Sequence, residues 1–482
     1  MHMIHPTAPL RNAMALVLAV LLTACANFEP RKPLDTPIAA AALDAVPATV
    51  EWPRDDWWRR YGDAELDALV TEGLAGTPTL AAARARVARA DAAAGVARAA
   101  TLPQVGANGS IDYQRFSNNY IYPPPFGGSW QTDARATLDF TFEFDFWDKN
   151  GAALRAALSQ AQGAAADAEA ARVTLTAAIA HAYFNLQRLF AQRDVSLAAR
   201  TQREDIVRIT AERYAAGLDT MVEVRQADAA LATVRTELAQ YDDAIDVARH
   251  QIAALVGAGP SRGERIAAAP LLAVPATPLP AAIPLDLIGR RPEIVAARWR
   301  VEASRQDIDV AKAQFYPNIN ITAFAGLSSL GLAHLVAAGS AIAGVGPAIH
   351  LPIFEGGRLN ANLRGRDADA DLAIAAYDQA LVDGVRELAD AVSSIRAHER
   401  VTLEQAQARA ATTDAYDVAV IRYRAGLGNY LTVLTAQTSQ LAQERLEVDL
   451  KARAVELDVD LAHALGGGYA DRSGAPLAAA PR

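Results

Sequence analysis

The chain has 482 residues, more than one ordinary domain needs, and alanine alone fills 109 of them while aromatics make up 6 %. With charged residues at 21 %, this composition leans toward long helices with small-residue packing. The net charge of −9 argues against a nucleic-acid binder, and the single cysteine excludes a disulfide scaffold and every Cys-cluster metal site.

The N-terminus reads as an address. His2, His5 and Arg11 precede an apolar run from Ala13 to Leu22, followed by Leu22-Thr23-Ala24-Cys25. A basic start, a short apolar stretch and small residues at a cut site form a secretory signal. The run is shorter than the roughly 20 residues a helix needs to span a bilayer. The sole cysteine stands where a lipobox places it, so residues 1–24 are the expected signal peptide and Cys25 the lipidated residue of an N-terminal extension, 25–62. Ala26 is neutral, which by resemblance to bacterial lipoproteins implies outer-membrane sorting.

Asp63 gives a start signal for a helical segment over 63–100. Between 104 and 116 the pattern switches to period two. Val105, Ala107, Gly109, Ile111 and Tyr113 alternate with Gln104, Asn108, Ser110, Asp112 and Gln114. After a loop holding Tyr120, Tyr122 and Trp130, the alternation resumes over 132–146. Leu138, Phe140, Phe142, Phe144 and Phe146 take one face, and Asp133, Arg135, Asp139, Glu143 and Asp145 the other. From Gly151 to Tyr214 there is no proline and one internal glycine, Gly163, which allows a helix of about 65 residues and about 100 Å. Gly217 supplies a stop, and a further helix is predicted over 219–256.

A proline-rich stretch, 258–284, then separates two similar halves, 63–257 and 285–465. The second half repeats the order: a helix over 286–315, strands over 318–326 and 343–354, a long helix over 357–424, a stop at Gly426 and a helix over 429–465. Residues 466–482, opening on Gly466-Gly467-Gly468, are the expected flexible tail. The repeat has four anchors. Arg213-Tyr214-Ala215-Ala216-Gly217-Leu218 recurs as Arg422-Tyr423-Arg424-Ala425-Gly426-Leu427, 209 positions later. Phe146-Trp147-Asp148-Lys149-Asn150-Gly151 is echoed by Phe354-Glu355-Gly356-Gly357-Arg358, Leu102-Pro103-Gln104-Val105 by Tyr316-Pro317-Asn318-Ile319, and Thr77-Pro78 by Arg291-Pro292.

Strands with one apolar face and one charged face fit a membrane barrel, apolar toward lipid and polar toward a lumen. Four strands cannot close a barrel, since bacterial examples have about eight or more. An open edge in lipid leaves backbone groups unpaired at several kcal/mol each. Several copies must therefore share one barrel, with Asp133, Arg135, Asp139, Glu143 and Asp145 facing the water-filled pore. The fold class is mixed α and β: a transmembrane β-barrel with four strands per chain, completed by association of copies and joined to a long helical barrel.

These residues resemble the TolC-like outer-membrane factors, in particular the lipidated OprM/NodT-type efflux channels. The carriers are Leu22-Thr23-Ala24-Cys25, Trp57-Trp58-Arg59-Arg60-Tyr61-Gly62-Asp63, Tyr316-Pro317-Asn318-Ile319, Pro352-Ile353-Phe354-Glu355-Gly356-Gly357-Arg358 and Arg422-Tyr423-Arg424-Ala425-Gly426-Leu427. The resemblance implies a homotrimer in the outer membrane with a helical periplasmic tunnel. It also implies docking to a periplasmic adaptor protein and, through it, to an inner-membrane pump of RND type. Its expected function is a passive, gated exit duct for drugs or other small molecules. A duct for type I protein secretion and a lipid-anchored coiled-coil spacer without a pore are the competing readings. The tip turns are Arg213, Tyr214, Gly217, Arg422, Tyr423 and Gly426. Thr435 stands where the resemblance leads one to expect an aspartate narrowing the periplasmic mouth, so acidity there comes from Asp219, Glu223 and Asp228. Tyr214, Glu223 and Tyr423 are the candidate gate residues.

Catalytic signatures are missing from the sequence. No His-Glu-x-x-His pair, phosphate loop, calcium loop or nucleophile elbow is present. Neither an enzyme activity nor a cofactor or metal is expected.

Overall fold

The computed structural model describes residues 34–43, 51–119, 121–271, 279, 282, 284 and 286–471. The signal segment, Cys25, Tyr120 and the tail from 472 lie outside the described residues. The helices and strands run in the order α1 (Ala64–Gly76), α2 (Pro78–Ala99), β1 (Gln104–Arg115), β2 (Trp130–Phe144), α3 (Lys149–Ala215), α4 (Met221–Leu255) and α5 (Pro260–Glu264). The second half continues with α6 (Leu287–Arg290), α7 (Pro292–Ala313), β3 (Asn318–Leu330), β4 (Ala341–His350), α8 (Arg358–Arg424) and α9 (Tyr430–Ala464).

Two expected helices are each broken once. Thr77 takes an extended conformation (φ −71°, ψ 132°) between α1 and α2, and Arg291 does the same (φ −102°, ψ 115°) between α6 and α7. The cause is the proline that follows each. It disfavours helical geometry in the residue before it and sits well at the first position of a new helix. The strand ends also shift. β2 runs from Trp130 to Phe144 rather than 132–146, β3 reaches Leu330, and β4 ends at His350. Beyond Phe144, the Asp145 carboxylate accepts from the Asn150 and Gly151 N–H groups at 3.1 and 2.7 Å, and Asp148 turns the chain at φ 58°. Asp145 is thus a cap on the free N–H groups of α3 rather than a strand residue.

The chain divides into two compact units, 1–37 with 87–163 and 297–377, and 38–86 with 164–296 and 378–482. The first unit holds a four-stranded antiparallel sheet in the order β1-β2-β3-β4. Val105 pairs with Phe140, Leu138 with Ala325 and Ala323 with Val345, so apolar residues share one face of all four strands. The other face carries Asn108 opposite Thr137, Asp139 opposite Phe324 and Asn320 opposite Ala348. Below the sheet ends, Ile308, Ala311 and Phe315 pack on Leu363 and Ala370. Trp147 stacks on Tyr316 at 4.6 Å and donates from its indole N–H to the Pro317 carbonyl at 2.9 Å.

The second unit is helical. Its main core joins Leu66, Leu69, Val70, Ile179, Tyr183, Phe184, Ile252, Val455 and Val459 to a 3₁₀ turn, Trp57–Tyr61. That turn is fixed by edge-on packing of Tyr61 against Phe184 (5.1 Å) and by Asp458, which is 4 % exposed. Asp458 accepts from Tyr61 Oη at 2.5 Å and pairs with Arg60. Asp63 caps α1 through the Glu65 and Leu66 N–H groups and also accepts from Tyr183 Oη at 2.6 Å.

The glycine run is not a loose tail over its first residues. Gly466 and Gly467 are buried, all three glycines have positive φ, and a Cβ on any of them would overlap Arg290, Val173 or Arg54. The close approach of these neighbours explains the glycines better than chain flexibility does.

Removing the Asp458 carboxylate takes one acceptor from Arg60 and one from Tyr61. Breaking a buried pair costs about 3–5 kcal/mol. Since Arg60 keeps 28 % of its side-chain exposure, we expect Asp458→Ala to lose about 2 kcal/mol. Denaturant unfolding of the detergent-solubilised protein measures this; an unchanged midpoint would show that the Trp57–Tyr61 turn contributes little to stability.

Candidate functional site: strand faces and helix-end turns

Each unit brings one group of candidate residues together. In the sheet, the polar face is a connected surface. Asn108 Nδ2 and Thr137 Oγ1 donate to Asp139 Oδ2 at 2.7 and 2.9 Å, and Gln114 reaches Asp133 at 3.5 Å. Glu143 pairs with Lys149 at 2.5 Å. Arg135 lies over the ring of Phe324, 5.4 Å from its centroid. Phe324 breaks the alternation on this face and was not singled out from the sequence. It fits because its cross-strand partner is Gly344, where a Cβ would fall 2.6 Å from the ring. The opposite face is apolar and open: Val105, Tyr113, Leu138, Val345 and Ile349 are all exposed, and Phe140 and Phe142 are not buried. Tyr113 stacks on Trp130 (5.4 Å) where the β1–β2 loop begins. No helix among the described residues is long and apolar enough to cross a membrane.

In the helical unit the two turns after α3 and α8 are built alike. Gly217 and Gly426 sit at φ +74° and +75°, a region open to glycine. The Leu218 N–H bonds the Arg213 carbonyl at 2.9 Å, and the Leu427 N–H bonds the Arg422 carbonyl at 2.8 Å. These bonds satisfy helix-end carbonyls. The next helices start with side-chain caps. Thr220 and Glu223 form a capping box, with the Glu223 carboxylate accepting from the Thr220 N–H at 2.9 Å, and Asn429 accepts from the Thr432 N–H at 2.9 Å. Glu223 is therefore occupied in starting α4.

The side chains break the symmetry. Tyr214 is 43 % exposed, whereas its counterpart Tyr423 is fully buried among Ile206, Tyr416, Tyr430 and Val433. Tyr423 Oη donates to Asp219 Oδ2 at 2.5 Å. Arg213 binds the same carboxylate at 2.9 and 3.1 Å, donates to the Tyr423 carbonyl at 3.1 Å and covers the Tyr423 ring at 4.6 Å. One residue from each repeat thus converges on Asp219. The position matching Asp219 in the second repeat is Gly428, so no twin of this cluster exists there. Arg422 donates to the Leu427 carbonyl in its own turn at 3.3 Å. Thr435 is exposed and donates back to the Leu431 carbonyl at 2.9 Å. That Asp219 joins both tip sequences was not legible: 204 positions separate it from Tyr423, and only the absence of an acid at Gly428 hinted at a one-sided role.

Charges at this cluster are locked in their ionised forms. Burial works to raise the Asp219 pKa, but bonds from Arg213 and Tyr423 outweigh it and hold the carboxyl below its usual range. Burial, aided by the Asp219 carboxylate, pushes the Tyr423 phenol up to about 12. Among the described residues no group of three His, Cys, Asp or Glu could hold a metal ion.

A sheet that is apolar on one face, polar on the other and free at both edges, together with two 67-residue helices, defines a channel-type outer-membrane protein. The chain belongs to the outer membrane efflux protein family, whose model matches residues 69–258 and 283–467. It is 38 % identical over 362 residues to the fusaric acid resistance protein FusA of Burkholderia cepacia, covering 73 % of this chain and 68 % of that one. It is 31 % identical over 461 residues to the multidrug resistance outer membrane protein MdtP of Escherichia coli K12, covering 93 % and 94 %. The crystal structure of the outer membrane protein VceC of Vibrio cholerae superposes with a TM-score of 0.82 at 39 % identity, over 86 % of this chain and all of that one. The protein is accordingly an outer-membrane efflux channel subunit of the TolC-like type, with a β domain and a helical periplasmic domain.

The Asp219 cluster carries a sign for pH. The depressed Asp219 pKa makes its contribution full at neutral pH and lost only as pH falls through that lowered value. The raised Tyr423 pKa keeps the phenol a donor until pH climbs toward about 12. Amide exchange at the two turns, corrected for intrinsic rates, should therefore not change between about pH 6 and 9. Asp219→Asn, which weakens charge-assisted bonds of about 1.5–3 kcal/mol, should speed exchange by tenfold or more; wild-type protection in that variant would show the carboxylate does not hold the turns.

Proposed function

We propose that this chain is the outer-membrane duct of a tripartite efflux system, a homotrimer anchored by acylated Cys25 and working with a periplasmic adaptor protein and an inner-membrane pump of RND type. The observation that carries this reading is the four-stranded sheet, which exposes an apolar face and ends in two unpaired edges. A lipid-embedded sheet must close on further copies. The polar face then lines the lumen, with Asp133, Arg135, Asp139 and Glu143 along the strands and Asp145 just beyond them. The names of FusA and MdtP support drugs and small toxic organic molecules as the exported class.

The tip supplies the gate in this reading. The Arg213–Asp219–Tyr423 cluster ties the end of α8 to the α3–α4 turn and holds the resting mouth narrow, while Tyr214 and Glu223 line the same turns. Around them Leu218, Val222, Leu427 and Leu431 are exposed. This apolar surface on repeat-related turns suits contact with the adaptor.

The purified protein in planar bilayers should conduct in steps. Tyr423→Phe combined with Asp219→Ala should raise the resting conductance severalfold, and Tyr214→Phe should not. A chain that forms no oligomer and no conductance would end the duct reading. A deletion strain that loses a secreted protein, with unchanged sensitivity to drugs, would end the efflux reading.

A further inference from the structure

The helical unit buries one cation without a counter-charge of its own. Arg203 of α3 falls between Ala199, in an apolar cluster with Val234, Leu238 and Leu441, and Ile206, in the cluster around Tyr423. It is 9 % exposed, yet among the described residues it makes no ion pair or hydrogen bond, and its buried Nε–H has no acceptor. A guanidinium keeps its proton at neutral pH, and a buried charge is costly unless it is paired and hydrogen-bonded. Burial accordingly pushes the Arg203 pKa down.

Carboxylates around it serve other arginines. Glu237 of α4 pairs with Arg445 of α9, and Asp205 pairs with Arg208 at 2.6 Å. Glu204 lies 3.7 Å from Arg200 and 3.5 Å from Arg235. Arg200, Arg203, Arg235 and Arg445 therefore share Glu204 and Glu237, which leaves positive charge in excess. The Nε–H groups of Arg200 and Arg445 are also buried without an acceptor.

Two phenols complete the surroundings. Tyr416 of α8 and Tyr430 of α9 are 9 % and 3 % exposed, and both lie within electrostatic reach of Arg203. Neither hydroxyl has a hydrogen-bond partner among the described residues. Three helices thus bring donors together with no carboxylate left to receive them. Buried donors that the protein leaves unmatched call for an acceptor from outside the chain, and the excess positive charge selects an anion.

We infer that Arg203, Tyr416 and Tyr430 form a binding site for a small carboxylate anion, gripped by the planar guanidinium fork through paired N–H···O bonds, with the two phenols donating to the same oxygens. Such an anion would join α3, α8 and α9 beside the Asp219 cluster, since the Tyr430 ring lies 6.2 Å from that of Tyr423. The position matching Arg203 in the second repeat is Thr412, whose hydroxyl donates back to the Ala408 carbonyl at 3.1 Å, so the second repeat has no twin of the site.

Sodium formate is the probe. It is titrated into the full-length, detergent-solubilised protein at constant ionic strength, balanced with a bulky sulfonate salt. Amide exchange around Arg203 and Tyr430 should slow by about tenfold when formate reaches roughly ten times its dissociation constant. Arg203→Gln should need at least about tenfold more formate for the same protection, as loss of a charge-assisted hydrogen bond implies. Tyr430→Phe keeps the charge and the packing and should need about threefold more; it carries the comparison if Arg203→Gln does not assemble. Equal protection by formate in the wild type and in Tyr430→Phe or Arg203→Gln would overturn the site, because a general salt effect acts on all of them alike. Wild-type exchange that does not respond to formate would overturn it as well, the donors then being matched by water or by a side chain of a neighbouring copy. Neither outcome involves conductance, so the duct reading stands apart from both.

Discussion

Backbone hydrogen bonding at the edges of one small sheet governs the architecture. β1 and β4 stand at the ends of the strand order, and a row of N–H and C=O groups on each faces outward. In water such edges are a liability that proteins blunt. In hydrocarbon they are intolerable at several kcal/mol per group. The apolar face of the same sheet, with Val105, Leu138, Val345 and Ile349 exposed, points to that hydrocarbon setting. The shared barrel follows from a sheet that one chain cannot finish.

A duplicated sequence gives a protein two copies of every element, and the two copies of the helix-end turn differ in their side chains. The turns after α3 and α8 share glycine geometry and carbonyl capping down to corresponding residues. Their side chains part ways because one position carries Asp219 and the other Gly428. A single carboxylate then draws Arg213 from one repeat and Tyr423 from the other. Tyr423 becomes a buried core residue, while Tyr214, with no such bond among the described residues, stays at the surface. Symmetric packing of the two repeats would not join them through one carboxylate.

The helical unit also keeps polar side chains in its interior. Gln187, Gln192, Ser196 and Thr210 of α3 are buried, as are Gln437 and Gln440 of α9. Gln192 donates to the Arg445 carbonyl and to Asp449 at 2.9 Å, and Gln437 to Gln202 at 3.3 Å. A seam held by amides and hydroxyls fixes register at some cost in stability relative to an aliphatic one. Alanines between them allow the helices to approach closely. The Trp57–Tyr61 turn, clamped by Asp458, adds three buried aromatic rings to the core that holds Tyr183 and Phe184 of α3.

The sequence by itself determined the periodic features. Alternation in β1 and β2, the long proline-free stretches, the glycine stops and the doubled plan are local or repeat properties, and side-chain period follows directly from backbone geometry. Capping was partly readable, as at Asp63. The tertiary structure alone decided what depends on residues distant in the chain. It made Asp145 a helix cap instead of a strand residue, let Phe324 occupy the polar face because Gly344 lies across from it, and packed Gly466 and Gly468 against other backbones and Gly467 against the Val173 side chain. It also joined Asp219 to Tyr423. Periodicity states which way a side chain points, but its partner is set by the meeting of segments whose separation along the chain carries no local signal.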